Sequence, residues 1–165
     1  MLRLSCLILA LLLATTSSAN VTGELNQVGN ATLKVMFWTI YDSYLYNKDG
    51  VYRGVEPELA LRIDYRRNIK QNDLIDRTRK EWRKQGIYAD SSEIWLQQLD
   101  SIWPEIKRGD QIVLRVNGEF ASEFFFNGEL IGSIADPMFT QRFLSIWLSE
   151  KSSYPDLRDQ LVGLG

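Results

Sequence analysis

The dipeptide Asn127-Gly128 lies between two runs of strand-forming residues, Phe120 to Phe126 and Glu129 to Ile134. Asn-Gly supplies the left-handed backbone that a two-residue hairpin loop demands, so this stretch predicts two adjacent antiparallel strands. A third strand is predicted just upstream at Gln111 to Val116, entered through Gly109-Asp110 and left through Asn117-Gly118. Three strands in a row joined this tightly commit the region to an antiparallel sheet, because parallel pairing needs crossovers of a dozen or more residues.

The N-terminal half adds strands of two kinds. From Ala31 to Tyr46 apolar residues occupy both parities, with Leu33, Val35, Phe37, Thr39 and Tyr41 alternating with Met36, Trp38, Ile40 and Tyr44. This predicts one long strand, buried on both faces for part of its length and ended by the turn Asn47-Lys48-Asp49-Gly50. Leu59 to Tyr65 alternates cleanly, with Leu59, Leu61, Ile63 and Tyr65 on one side and Ala60, Arg62 and Asp64 on the other, as a half-buried strand does.

Helices are predicted in two pairs. Asn72 or Asp73 can cap a helix from about Leu74 to Gln85 that ends at Gly86, with Leu74, Thr78 and Trp82 on its apolar stripe. Asp90 and Glu93 open a second helix, burying Ile94, Trp95 and Leu99 or Ile102 before Pro104. Asp136-Pro137 opens a third, in which Phe139, Phe143, Ile146 and Trp147 share a face, and Pro155 begins a last short helix to about Leu161. The order of elements predicts an α+β fold, a long antiparallel sheet with helices packed on one face.

The first nineteen residues read differently. Arg3, an apolar run from Leu4 to Ala14 and the small polar stretch Thr15 to Ala19 have the three-part pattern of a cleavable secretory signal, with cleavage after Ala19. The apolar run falls short of the roughly 20 residues a bilayer-spanning helix needs. The expected product is therefore residues 20–165, one domain, periplasmic or secreted, with no transmembrane anchor after processing. The sole cysteine, Cys6, would leave with the signal, so the domain would have no disulfide and no thiolate ligand.

Composition narrows the chemistry further. The chain has no histidine, which removes the commonest general base and metal ligand and every Ser-His-Asp scheme. With 19 basic and 21 acidic residues it is mildly acidic, which argues against a nucleic-acid groove or an anionic-membrane patch, both of which need clustered excess Lys and Arg. Asp64, Asp73, Asp76, Glu81 and Asp100 sit beside bases or at helix caps and read as solvated structure, and neither a metal site nor a cofactor motif is expected. One basic residue stands out. Continuing the alternation of the Leu59 to Tyr65 strand puts Arg67 on its apolar side, where a guanidinium could hold a carboxylate bidentately or, with its stem packed along the sheet, form a surface salt bridge.

Several ordered blocks together resemble the bacterial chalcone isomerase-like family. They are Val28 to Leu33, Ile40 to Tyr46, Leu61 to Arg67 with Trp82 downstream, Lys107 to Asp110, Phe125 to Gly132, and Phe143 to Leu148 with Leu157-Arg158. The resemblance implies an open-faced sandwich. In plant isomerases of this fold a threonine, a tyrosine and water polarise the substrate ketone. Thr39 looks like the threonine, while residues 72 to 82 offer no match to the catalytic tyrosine and asparagine. Non-catalytic relatives bind fatty acids through an arginine and a tyrosine, and the resemblance assigns those roles to Arg67, Tyr65 and Tyr41. The first expectation is therefore an exported binder of a small apolar carboxylate such as a fatty acid. An envelope interaction domain without a small ligand, exposing aromatics such as Trp103 or Tyr154, and an isomerase-type enzyme are the alternatives.

Overall fold

The computed structural model describes residues 20–165; the expected signal peptide lies outside the described residues. Six strands form one antiparallel sheet in simple sequence order. They are β1 (Asn26–Val35), β2 (Trp38–Asn47), β3 (Ala60–Tyr65), β4 (Gln111–Val116), β5 (Ser122–Phe126) and β6 (Glu129–Ile134). Helices α1 (Gln71–Lys84) and α2 (Asp90–Ile102) enter between β3 and β4, and α3 (Pro137–Leu148) and α4 (Pro155–Leu161) follow β6. The fold is α+β, as the order of elements predicts.

The main core joins the sheet to the helices. Leu61, Ile63 and Tyr65 of β3 face it, with Phe124 from β5 and Trp82, Trp95, Phe139 and Phe143 from the helices. Most of these aromatic rings meet edge to face, with Trp82 and Trp95 5.9 Å apart and Trp95 and Phe139 6.0 Å apart, an arrangement favoured by the ring quadrupoles, while Phe139 and Phe143 stack at 5.4 Å. The opposite parity of β3 carries Arg62 and Asp64, which form a 2.9 Å ion pair on the other side of the sheet. There a small second cluster of Tyr46, Ala60 and Val113 packs with Val21 and Leu25.

Local signals behave as their chemistry requires. Asn127 and Gly128 both take positive φ, 49° and 88°, closing the β5–β6 hairpin. The Asp136 carboxylate accepts from the backbone N–H groups of Met138 and Phe139 at the start of α3.

Four expectations are corrected. The stretch Ala31 to Tyr46 is not one strand, because Met36-Phe37 turns the chain and its two halves pair with each other as β1 and β2. Apolar residues on both parities come from the bulge and turn there, a pattern that periodicity alone reads as continuous. Helix α1 begins at Gln71, ahead of the Asn72 or Asp73 cap, with Lys70 in the cap position; Ile75 is buried in its core stripe beside Thr78 and Trp82, and Leu74 packs against the core partly buried. Ile94 of α2 faces solvent while Leu96 is buried, and the Ala89 N–H donates to Ser92 Oγ at this helix start while Glu93 turns to Arg79. Trp103 is not an exposed aromatic but a core residue packed on Phe124 and Phe143.

Candidate functional site

Between the sheet and the helices lies a cavity of about 300 Å³. Its floor is Leu33 and Val35 of β1, Ile40 and Tyr41 of β2 and Tyr65 of β3. Its other walls are Leu74, Arg77, Thr78 and Glu81 of α1, Ile146 and Trp147 of α3, and Tyr154 and Leu157 around the start of α4. The volume sits at the lower end of the roughly 300–1,000 Å³ range of small-molecule pockets.

A β-bulge shapes the floor. Leu33 lies opposite Tyr41 and Lys34 opposite Thr39, so Ile40 is the extra residue on β2. In a regular strand Ile40 and Tyr41 would point to opposite faces; the bulge lets both line the cavity. It also sends Thr39, of the same parity as Tyr41, to the side of exposed Lys34.

The polar groups gather around Tyr41. The Trp147 indole N–H donates to the Tyr41 phenolic oxygen at 2.9 Å, and the Tyr65 ring meets the Tyr41 ring edge-on with centroids 6.2 Å apart. Burial pushes the Tyr41 phenol well above its ordinary value, opposed in part by the Trp147 hydrogen bond. Tyr65 is raised by burial and by its neighbour Tyr41. Both phenols therefore stay neutral and can donate hydrogen bonds.

Arg77 and Glu81, one turn apart on α1, form a 2.6 Å ion pair. Glu81 is buried and also accepts from the Ser153 hydroxyl at 2.6 Å. Arg77 Nη2 donates to the Tyr154 hydroxyl at 3.2 Å, while its Nε and Nη1 have no partner among the described residues. Thr78 and Ser152, the other hydroxyls at the wall, are spent on the backbone carbonyls of Leu74 and Ile146.

Of the four residues singled out from sequence, the fold brings Tyr41 and Tyr65 together at this cavity, and Thr39 and Arg67 do not line it. Strand β3 stops at Tyr65, so the alternation that would carry Arg67 to the apolar side no longer applies. Its guanidinium instead stacks 4.2 Å from the Trp38 ring centroid on the exposed surface. The arginine at the cavity is Arg77. Reading Glu81 as solvated is likewise corrected, and its spacing of four from Arg77 was the available signal for both.

Among the described residues no cluster of three or more metal-binding side chains occurs, and no helix is long and apolar enough to cross a membrane.

The sequence profile described as chalcone isomerase-like matches residues 13–163. The chain belongs to the chalcone isomerase-like family. An uncharacterised protein of Haemophilus influenzae is 25% identical over 139 residues, covering 82% of this chain and 67% of that one. In three dimensions this chalcone isomerase-like chain is similar to the crystal structure of an Arabidopsis thaliana fatty-acid binding protein, with a TM-score of 0.65 over 86% of this chain and 88% of that one. At 13% identity that likeness shows a shared fold.

Proposed function

We propose that this protein is exported and binds a small apolar carboxylate such as a fatty acid without transforming it. The observation that carries the reading is the cavity itself, an apolar space with Tyr41, Tyr65 and Arg77 at its walls. The hydrocarbon tail would lie against Leu33, Ile40, Leu74 and Ile146, where its transfer from water is favourable. The head group would take hydrogen bonds from the neutral phenols and from the unused Nε and Nη1 of Arg77, a charge-assisted contact that Glu81 tempers without occupying those atoms. The structural likeness to a plant fatty-acid binding protein supports an apolar ligand. The secretory pattern of the first nineteen residues supports export.

Binding rather than turnover is favoured by the state of the polar groups. The phenols are held protonated, Glu81 is tied to Arg77 and Ser153, and the chain has no histidine. The phenols and Glu81 are therefore engaged, and the other carboxylate lining the cavity, Asp73, is exposed on α1.

Native mass spectrometry of the protein purified from its own host, followed by organic extraction, tests the reading, with calorimetric titration of octanoate, laurate and palmitate beside it. A bound fatty acid, or saturable binding of one of these, is expected. A clean apo mass together with no heat of binding for all three would overturn it.

A further inference from the structure

The β1–β2 turn is built against the usual chemistry of a solvent-facing turn. Met36 sits in left-handed backbone at φ 54°, a conformation strained for a residue with a long side chain. At this same end of the sheet the β5–β6 turn uses Asn127-Gly128, the residues that tolerate such backbone. The Met36 and Phe37 side chains are held almost wholly in water, 85% and 94% exposed, with Trp38 58% exposed beside them. Three large apolar side chains at a protruding, strained tip form no part of the core.

Antiparallel order brings the end of β3 and the start of β4 to this end of the sheet, and their flanking loops are basic. Arg67 stacks on Trp38, and the Arg108 N–H donates to Asn68 Oδ1 at 2.8 Å, bringing Arg108 beside it. Arg66, Arg67, Asn68 and Arg108 line one surface groove. Lys34, Arg67, Lys107 and Arg108 are exposed and have no salt bridge among the described residues. Three nearby acids are already engaged, while exposed Glu105 and Glu129 have no salt bridge among the described residues. Asp42 is bridged to Arg66, Asp64 to Arg62, and the Asp110 oxygens accept from the Lys107 N–H and the Asn127 side-chain amide. The overall balance of net charge −2 argues against an anionic-membrane patch, but the fold gathers a local excess of positive charge around this apolar tip.

We propose that the Met36-Phe37-Trp38 tip and its arginine collar dock the protein on an anionic lipid bilayer. The apolar side chains enter the boundary between head groups and acyl chains, Trp38 lies at the interface, and Arg67 and Arg108 meet lipid phosphates. Charge complementarity selects this occupant, because an apolar protein partner would not need the collar of free guanidinium groups. Docking is separate from the cavity reading and stands if the cavity proves empty. Val35 nevertheless belongs to both, half exposed at the tip and lining the cavity, so docking sets the cavity close to the membrane.

Co-sedimentation with vesicles tests this, using protein in the form that accumulates in its host. One set of vesicles is phosphatidylcholine alone, the other equal parts phosphatidylcholine and phosphatidylglycerol. Wild type is expected to sediment with the anionic vesicles, less as salt is raised, and only weakly with the neutral ones. Phe37→Ser/Trp38→Ser should lower partitioning about tenfold or more, and Arg67→Glu/Arg108→Glu about fivefold for each charge removed. All four positions are exposed, and circular dichroism checks that the variants stay folded. Two results would overturn the proposal: no sedimentation with anionic vesicles, or equal sedimentation by wild type and the tip variant. A concentration-dependent dimer that the tip variant abolishes, without vesicle binding, would overturn it in favour of a protein interface.

Discussion

The indole N–H of Trp147 on α3 donates to the phenolic oxygen of Tyr41 on β2 across 2.9 Å. This bond fastens a helix to the sheet at the cavity wall, and it uses the Tyr41 oxygen as an acceptor while leaving its O–H able to donate a hydrogen bond. Replacing Trp147 by Phe should cost about 1 kcal/mol through the lost hydrogen bond. Trp147→Ala should cost about 2 kcal/mol, below the roughly 3–5 kcal/mol of a fully buried tryptophan, because this ring is only half buried beside a space. Urea denaturation of the two variants measures both, and a Trp147→Phe variant as stable as wild type would show the bond to be energetically idle.

The buried phenols make stability depend on alkaline pH. Unfolded, Tyr41 and Tyr65 titrate near 10.0; folded, burial raises both. The native state then keeps protons that the unfolded chain has lost, so this contribution is fully present below about pH 10 and is lost as pH climbs beyond it. Denaturant unfolding at stepped pH should show stability declining above that point, and less steeply in Tyr65→Phe. Identical pH profiles for the two proteins would contradict the assignment.

Arg77 rather than Arg67 should govern carboxylate affinity. Arg77→Gln is expected to weaken laurate binding by about tenfold or more, since a charge-assisted bond is lost. That variant also leaves the buried Glu81 carboxylate without its ion pair, so Arg77→Gln/Glu81→Gln is the companion, expected to be better folded and still weak. Arg67→Gln should bind like wild type. Calorimetric titration decides among them, and a loss confined to Arg67→Gln would move the head group to the outer groove.

Gly29 is a packing requirement of the sheet edge. A Cβ there would overlap the backbone carbonyl oxygens of Gln160 and Leu161, at the C-terminal end of α4. Backbone cannot move aside as a side chain can, so Gly29→Ala should cost about 3 kcal/mol or more. Thermal unfolding reads this directly; a melting temperature close to wild type would mean that α4 is free to shift away from β1.

Sequence alone determined what short-range chemistry settles. Asn127-Gly128 dictated a hairpin because few residues accept its backbone, and Asp136-Pro137 marked the start of α3 because its carboxylate can reach the first free N–H groups. The parity of Leu61, Ile63 and Tyr65 gave the core face of β3, and the spaced blocks pointed to the family. The cavity followed different rules. Whether Thr39 or Ile40 faces inward depends on one bulge, and a bulge is invisible where both parities are apolar. Arg67 left the apolar side because pairing ended β3 two residues earlier, a decision made by neighbouring strands. Arg77 and Glu81 entered the site because tertiary packing turned that side of α1 toward the sheet, and Trp147 met Tyr41 across 106 positions of chain. Periodicity reports which face of an element is apolar. Only the packing of elements decides where two apolar faces fail to close and leave a space.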